Sequence, residues 1–479
     1  MASNVDARRA GPAFAATVLS AALYYFGASL HPLPWLTWLA PLPLAWLAPR
    51  MQARWLMLAA LAAGTLGALS QWHYLHGVIA LPLAVIVPIT VFPGVLLALC
   101  LWLYRRLVLR GRGIAAALAM PALWVALEYG RALGSPHGTF GSLAYTQMDV
   151  LPVLQIASVT GLWGISFLLL LVPGALAVML TRGVTERTRL AVGAVLVLAM
   201  GATLAFGLAR LYTPVTDSLR IGLASIEKPI RPALASPAGQ ALVDRYVGAV
   251  DRLAAAGARV VVTPETAFAT AETTVPAFAD AARRHDLLLA AGIDAKDAPG
   301  GERNALWVLS RELASPATYA KHHLIPGFED QYTPGSGYTM LDGWPRIGLA
   351  ICKDMDFHDI GRAYAARNAQ LLLVPAWDFG VDGWLHGRMA IMRGVESGFA
   401  IARAARSGRL TLSDDRGRVV AEASSEQQDA EVVGDLPLRA SRTLYAQWGD
   451  WFAWLDLALL AVTLVLAWIP AGRAGAEGR

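Results

Sequence analysis

Long uncharged runs fill most of the first 212 positions, and they leave this chain few ways to fold. An apolar segment of about 20 residues inside a bilayer finds no water for its amides, so the backbone must close its own hydrogen bonds as a helix. Such spans are expected near 12–29, 32–48, 54–72, 78–104, 114–130, 155–181, 188–211 and 452–470. The second is short and rich in proline, and the fourth is long enough to kink at Pro88 or Pro93. A composition of 56% hydrophobic and 16% charged residues, with sixteen tryptophans, excludes an ordinary soluble enzyme. Arg8 and Arg9 ahead of the first run look like the start of a cleaved signal peptide. The chain passes straight into a second apolar run, however, so an uncleaved anchor is expected.

The arginines orient these spans. With the N-terminus cytoplasmic, the short connections on that side carry Arg8, Arg9, Arg50, Arg54, Arg105, Arg106, Arg110, Arg112, Arg182, Arg187, Arg189, Arg473 and Arg479, whereas the opposite short loops carry Arg131 alone. Basic residues collect on the cytoplasmic side of membrane proteins, so the polar stretch 215–445 belongs outside. The net charge of +5 is therefore a topology signal, and a nucleic-acid partner has no support.

Three regions follow: helices one to seven over 1–214, an extramembrane domain over 215–445, and a last helix with a short tail over 446–479. In the domain the spacing predicts strands at 219–225, 258–263, 287–293, 303–310, 317–321, 346–351, 370–375 and 399–405, interleaved with helices at 237–256, 274–285, 358–368 and 384–398. Alternation of this kind argues for a layered α/β domain. Cys100 and Cys352 form no disulfide framework, since Cys100 lies in an apolar span; it reads as helix packing.

Three strand ends carry chemistry. Glu265 closes Val-Val-Val-Thr-Pro-Glu, Lys321 follows Thr-Tyr-Ala, and Cys352 ends Arg-Ile-Gly-Leu-Ala-Ile-Cys. A carboxylate, an amine and a thiol held together make an activated nucleophile, with the ammonium favouring thiolate. Singly, each has a plainer reading: a buried cysteine is usually a small core hydrophobe, Lys321 a strand residue and Glu265 a neighbour of a helix cap. The set of three carries the argument.

Together with Pro-Ala-Leu-Trp-Val-Ala-Leu-Glu at 121–128, Gly-Ser-Leu-Ala-Tyr-Thr-Gln at 141–147, Gly-Leu-Trp-Gly-Ile-Ser-Phe at 161–167 and Thr-Leu-Tyr-Ala-Gln-Trp-Gly-Asp at 443–450, these segments resemble the apolipoprotein N-acyltransferases, the membrane-bound branch of the nitrilase superfamily. The resemblance implies a membrane α-helical bundle of about eight helices joined to an extracytoplasmic αββα sandwich, in the bacterial inner membrane with that domain on the periplasmic face. It implies a Glu265–Lys321–Cys352 triad with Glu265 as general base and Cys352 as nucleophile. A phospholipid would donate its acyl chain to the thiol, and the α-amine of a diacylglyceryl lipoprotein would accept it. No cofactor and no metal are implied, and a monomer is expected. Glu329 matches the family's second glutamate, although Pro-Gly-Phe-Glu here replaces Pro-Phe-Gly-Glu. The backbone N–H of Lys353 and the Lys321 amine would hold the oxyanion, while Lys353 and Asp354 stand where the family has an aromatic and a glutamate.

Other departures are Ala-Ser-Ile-Glu-Lys-Pro at 224–229, with no tryptophan before the next helix, and Val-Pro-Ala-Trp-Asp at 374–378, which reads like a soluble nitrilase. A hydrolase, an acyltransferase for another amine, or a scaffold without activity are the alternatives. A transporter is disfavoured, because charges are nearly absent from the spans. Arg388, Arg393 and Glu396 are expected in structural ion pairs; Glu128 and Arg131 either meet a headgroup or pair with each other. His322 and His323, adjacent on a strand, point apart and do not suggest a metal. The segment 327–343 is the candidate lid.

Overall fold

The computed structural model describes residues 2–215, 217–227 and 230–470, with side chains from residue 11 onward. Lys228, Pro229, Arg473, Arg479 and the side chains of Arg8 and Arg9 lie outside the described residues. Among these, six helices are long and apolar enough to cross a membrane: Ala53–Gln71, Leu83–Val108, Gly113–Gly134, Leu162–Met179, Glu186–Leu211 and Trp451–Trp468. A further long helix, Ala2–Gly27, opens the chain.

The count of eight spans is approximate because the expected second span is not one helix. It divides into Pro34–Thr37, Leu42–Leu47 and a 3-10 turn at Ala48–Arg50. Pro34, Pro41, Pro43 and Pro49 lack amide donors and crowd the preceding turn, so no long α-ladder can form. Bonds of the i→i+3 kind, Leu39 N–H to Leu36 O and Leu42 N–H to Leu39 O, carry the chain across the break. The sixth span starts later than 155, since Gly161 at φ 66° separates Ala157–Thr160 from Leu162–Met179. Leu83–Val108 stays continuous with Pro88 and Pro93 inside it. It meets the preceding helix through glycines, for a Cβ on Gly64 would lie 2.5 Å from Gly94 Cα. Small residues let membrane helices approach in this way.

The arginine-bearing helix ends gather together. Arg105 Nε donates to Met51 O at 2.9 Å, Arg106 Nε donates to Ala467 O at 2.8 Å, and the Arg106 guanidinium lies 3.8 Å from the Trp468 ring centroid. At the opposite helix ends the bundle joins the α/β part: Trp163 Nε1 donates to Asp450 Oδ1 at 2.8 Å, and Leu162 N–H donates to Glu396 Oε1 at 2.9 Å.

Among the described residues the α/β part has thirteen strands: β1 (Asp217–Ser225), β2 (Val260–Val262), β3 (Phe268–Thr270), β4 (Leu288–Ala295), β5 (Arg303–Leu309), β6 (Ala317–Ala320), β7 (Met340–Leu341), β8 (Ile347–Leu349), β9 (Leu371–Trp377), β10 (Ala400–Arg406), β11 (Arg409–Ser413), β12 (Val419–Ser424) and β13 (Ala430–Leu438). One sheet runs β13-β1-β2-β4-β5-β6 with β3 beside β4; the other runs β12-β11-β10-β9-β8-β7. The inner faces of the two sheets meet in one apolar layer containing Ile221, Leu223, Val260 and Val262 from the first sheet, and Leu349, Leu371, Leu373 and Ala402 from the second. Helices Pro237–Ala255 and Pro276–His285 cover the first sheet, and His358–Ala366 and Gly383–Ser397 cover the second. This is the αββα sandwich. The helix Pro237–Ala255 shows why each layer forms. Ser236 Oγ caps it by accepting from Gly239 N–H at 3.0 Å, and Leu242, Val243, Tyr246, Ala249, Val250 and Leu253 recur on one face and are buried.

Candidate active site

Glu265 lies three residues past β2, in a turn that crosses β4. Only a glycine beneath permits that crossing: a Cβ on Gly292 would run into Pro264 O and lie 2.5 Å from Glu265 Cα. Thr266 beside it takes φ 46°, and Cys352 takes φ 45° just after β8. The left-handed region costs a non-glycine residue about 1–2 kcal/mol, so the packing around both turns holds them there. Lys321 follows β6, with its N–H bonded to Asn304 O at 2.9 Å.

These turns converge on one buried cluster. Lys321 Nζ donates to Glu265 Oε1 at 2.7 Å and to Glu329 Oε2 and Oε1 at 2.9 and 3.0 Å. Asn304 Nδ2 donates to both carboxylates, at 2.6 Å to Glu265 and 2.7 Å to Glu329. Ile325 N–H donates to Glu329 Oε2 at 2.8 Å. Gly327 adopts φ 81°, so the exchanged Gly-Phe order still turns the chain and delivers Glu329 to the lysine. Cys352 Sγ lies 3.6 Å from Trp377 O, in the charge field of Lys321 and Glu265.

The electrostatics set the expected pull of Lys321 on the thiol against two opposing influences. Burial pushes the Cys352 thiol well above its usual range, the Glu265 charge pushes it further, and Lys321 opposes without prevailing. Burial and the Glu265 charge therefore favour the thiol, and the Lys321 ammonium favours the thiolate. Burial raises the Glu265 carboxyl as well, with Lys321 opposing and Glu329 reinforcing. Burial alone would lower Lys321, but the Glu265 and Glu329 carboxylates hold it well above the normal lysine value, so it stays an ammonium.

Asp354 ties the cysteine turn to the lysine turn. Its Oδ2 accepts from Tyr319 OH at 2.8 Å and Ile351 N–H at 3.0 Å, while Oδ1 accepts from His322 N–H at 3.1 Å and His323 N–H at 2.9 Å. Burial opposes its charge, yet His323 and these donors hold its carboxyl below the usual range. Lys353 has its backbone N–H in the first turn of the 3-10 helix Cys352–Asp356, where amides lack intrahelical acceptors. Its side chain is buried and donates to Leu324 O at 3.2 Å. The far end of that helix docks on the bundle, since Asp356 O accepts from Thr139 N–H at 3.1 Å and from its hydroxyl at 2.8 Å.

The remaining expectations divide. Arg388 pairs with Asp149 at 3.1 Å and Glu422 at 2.7 Å, and Arg393 pairs with Glu396 at 3.0 Å, which are ion pairs as expected. Glu128 and Arg131 do not pair with each other. Glu128 Oε1 accepts from Leu143 N–H at 2.8 Å and Arg131 donates to Phe140 O at 2.7 Å, so both brace the 139–147 loop. His322 and His323 lie beyond the end of β6 rather than on it; one ring stacks on Tyr319 and the other on Phe357. Segment 327–343 is anchored in its middle, where Thr333 N–H bonds Glu302 O, Gly335 N–H bonds Lys321 O and Tyr332 is buried. Asn304 was missed by sequence reasoning, although a lone amide inside the run Ala-Leu-Trp-Val-Leu that follows it is a visible signal of a buried polar contact.

The chain is similar to known proteins. Residues 20–175 match the family model for the apolipoprotein N-acyltransferase N-terminal domain, and residues 225–447 match that for carbon-nitrogen hydrolases. An apolipoprotein N-acyltransferase of Geobacter metallireducens is 30% identical over 408 residues, covering 75% of this chain and 76% of that protein. One from Neisseria meningitidis serogroup B is 26% identical over 441 residues, covering 82% and 83%. Among solved structures, an amidase from Nesterenkonia sp. is 25% identical with a TM-score of 0.39, covering 47% of this chain and 93% of its own.

Proposed function

The chain belongs to the apolipoprotein N-acyltransferase family, and from that membership we propose that Cys352 holds the acyl group in transit between a phospholipid and a lipoprotein. The protein is an acyltransferase of the bacterial inner membrane, with apolar helices and a nitrilase-like α/β domain. The observation that carries the site assignment is the Lys321 ammonium, buried between the Glu265 and Glu329 carboxylates in the field of the thiol.

The chemistry follows from those positions. Because burial and the Glu265 charge favour the thiol form, Glu265 removes the thiol proton as sulfur attacks the phospholipid ester carbonyl. The carbonyl oxygen becomes an oxyanion held by the Lys353 backbone N–H and the Lys321 ammonium; losing one such donor typically costs about 3 kcal/mol of barrier. The intermediate collapses to a Cys352 thioester, and the lysophospholipid oxygen leaves with the proton from Glu265. In the second half the free α-amine of the lipoprotein's diacylglyceryl-cysteine attacks the thioester. Glu265 takes a proton from that nitrogen, the amide forms, and the departing sulfur is reprotonated. Asp354 keeps the cysteine and lysine turns in register throughout.

The α/β domain, residues 215–445, faces the periplasm. The clustering of Arg105 and Arg106 with the bundle ends remote from that domain supports this orientation. Docking of the Cys352–Asp356 helix on the loop at Thr139 keeps the thiol near the bundle, where both lipid substrates reside.

The test uses the purified protein with phospholipid, followed by intact mass measurement. An acyl-sized increase on the wild type, absent in Cys352→Ser and discharged by a diacylglyceryl peptide, is the expected result. An adduct that decays equally without peptide would make the protein a hydrolase, and no adduct at all would overturn the assignment.

A further inference from the structure

A second polar centre lies where the helix Glu186–Leu211 enters the α/β part, and none of the candidate catalytic side chains belongs to it. A cavity of about 610 Å³ opens there, with Arg210, Arg416, Arg439 and Arg442 in its wall beside Phe206 and Ser441. Arg418 adds a fifth guanidinium on the same aspartates. Against these five cations stand two carboxylates. Asp415 accepts from Arg416 and Arg439, each at 2.7 Å, and Asp414 accepts from Arg439 at 3.2 Å and Arg418 at 3.4 Å.

The cations outnumber the carboxylates, and the remaining bonds of Arg210, Arg416 and Arg418 go to neutral oxygens such as Gln155 Oε1, Arg210 O and Leu211 O. Arg439 has a side chain only 8% exposed, yet its Nε and Nη2 are shielded from solvent with no acceptor among the described residues. Arg442, exposed at the rim, makes no hydrogen bond or ion pair among the described residues. Five guanidinium groups beside two carboxylates leave the cavity wall positively charged, which is complementary to an anion. Guanidinium N–H groups are donors whose planar fork fits phosphate oxygens.

The surroundings indicate where that phosphate comes from. The cavity sits at the end of a membrane-spanning helix, with Tyr212 82% exposed just past its end and Trp448 63% exposed on the neighbouring segment. Aromatic side chains of this kind mark headgroup depth. The site also lies apart from the thiol. It adjoins the Asp217–Leu438 end of β1 and β13, whereas Glu265 and Cys352 follow the C-terminal ends of the parallel strands. The nine residues of β1 separate the two ends by roughly 30 Å.

We propose that this cavity is a phosphate site for the headgroup of an anionic membrane lipid, which neutralises the arginine cluster and fastens the α/β domain to the bundle without serving as acyl donor. Its occupant binds with the phosphate against Arg439 and Arg442 and with its tails along the exposed flank of Glu186–Leu211.

The test uses the full chain in detergent, in a Cys352→Ser background where no thioester forms, titrated with phosphatidylglycerol, with uncharged diacylglycerol or with inorganic phosphate. Lipid retention is counted by native mass spectrometry and the unfolding midpoint is followed. Phosphatidylglycerol is expected to raise the midpoint and to be retained, with diacylglycerol inert. Arg442→Gln is expected to weaken retention about tenfold, and Arg439→Lys, which keeps the charge but loses the fork, to weaken it less. An equal response to inorganic phosphate supports the anion site and assigns it to a soluble ion. No response to either phosphate compound overturns the proposal, and so does a lipid response that Arg442→Gln leaves unchanged. Should Arg439→Lys fail to fold, Arg442→Gln decides, because it removes an exposed side chain bonded to no other described residue.

Discussion

Glu329→Gln separates two roles that a static contact leaves joined. In the folded protein Glu329 shares Lys321 with Glu265, and both carboxylates accept from Asn304 Nδ2, so their nearest oxygens are no more than about 5 Å apart. Two negative charges at that distance repel by about 3 kcal/mol at an effective dielectric constant of 20, and that repulsion favours the protonated form of Glu265. Repulsion from Glu329 is one of the causes that raise Glu265, after burial and against the pull of Lys321. The neutral amide keeps the shape and removes the charge. The acid limb of Cys352 acylation, set by deprotonation of Glu265, should therefore move to lower pH. The plateau rate should fall at the same time, because a charge-assisted bond to Lys321 weakens; a loss of about 1.5–3 kcal/mol corresponds to roughly tenfold to a hundredfold. The assay is the rate of acyl-adduct formation from phospholipid, read by intact mass between pH 4 and 9. A lower plateau with an unmoved acid limb would refute the electrostatic coupling and leave Glu329 as a prop for its loop.

Three further outcomes test other parts of the structure. Asp354→Asn should lower the unfolding midpoint and cut acylation at least a hundredfold, since the amide cannot accept from all the N–H and O–H groups that converge there; about 3 kcal/mol is the expected scale. Gly292→Ala should displace the Glu265 turn, costing about 1–3 kcal/mol of stability and most of the acylation rate, while Gly337→Ala, where a Cβ meets nothing within 4 Å, should change neither. Glu396 is raised to about 7, chiefly by burial with Arg393 opposing. A raised carboxyl binds its proton more tightly in the folded state, so its contribution is complete below about pH 4.5 and is lost as pH rises through about 7. The unfolding free energy should fall across that window, by a few kcal/mol at most, with the midpoint following it, and Glu396→Gln should flatten the slope.

How much of this could be read beforehand depended on the range of the interaction. The helix at 237–256 and the strand at 219–225 appear in the structure as Pro237–Ala255 and Asp217–Ser225, because periodic burial, a serine cap and alternation are written into consecutive residues. Strands β11, β12 and β13 were not predicted. Arg409–Ser413 and Val419–Ser424 carry mixed polar sequences and become strands only by pairing with β10 and with each other. The segment 32–48 had the apolarity of a span, and its prolines broke it.

The candidate site divides in the same way. Glu265, Lys321 and Cys352 were legible as a set, since each ends an apolar strand and each chemistry is local to its residue type. Asn304 bridging two carboxylates and Asp354 gathering N–H and O–H groups from two turns were not legible, nor was the arginine cavity. Many of those contacts join residues far apart in the chain, for example Asn304 with Glu329, 25 positions on, and Arg416 with the Arg210 carbonyl, 206 positions back. The sequence by itself determined that this chain is a membrane protein bearing a thiol, an amine and a carboxylate at strand ends. Only the tertiary structure decided which influences act on that thiol's proton, because its charge balance depends on which buried groups the fold packs within a few ångströms of it.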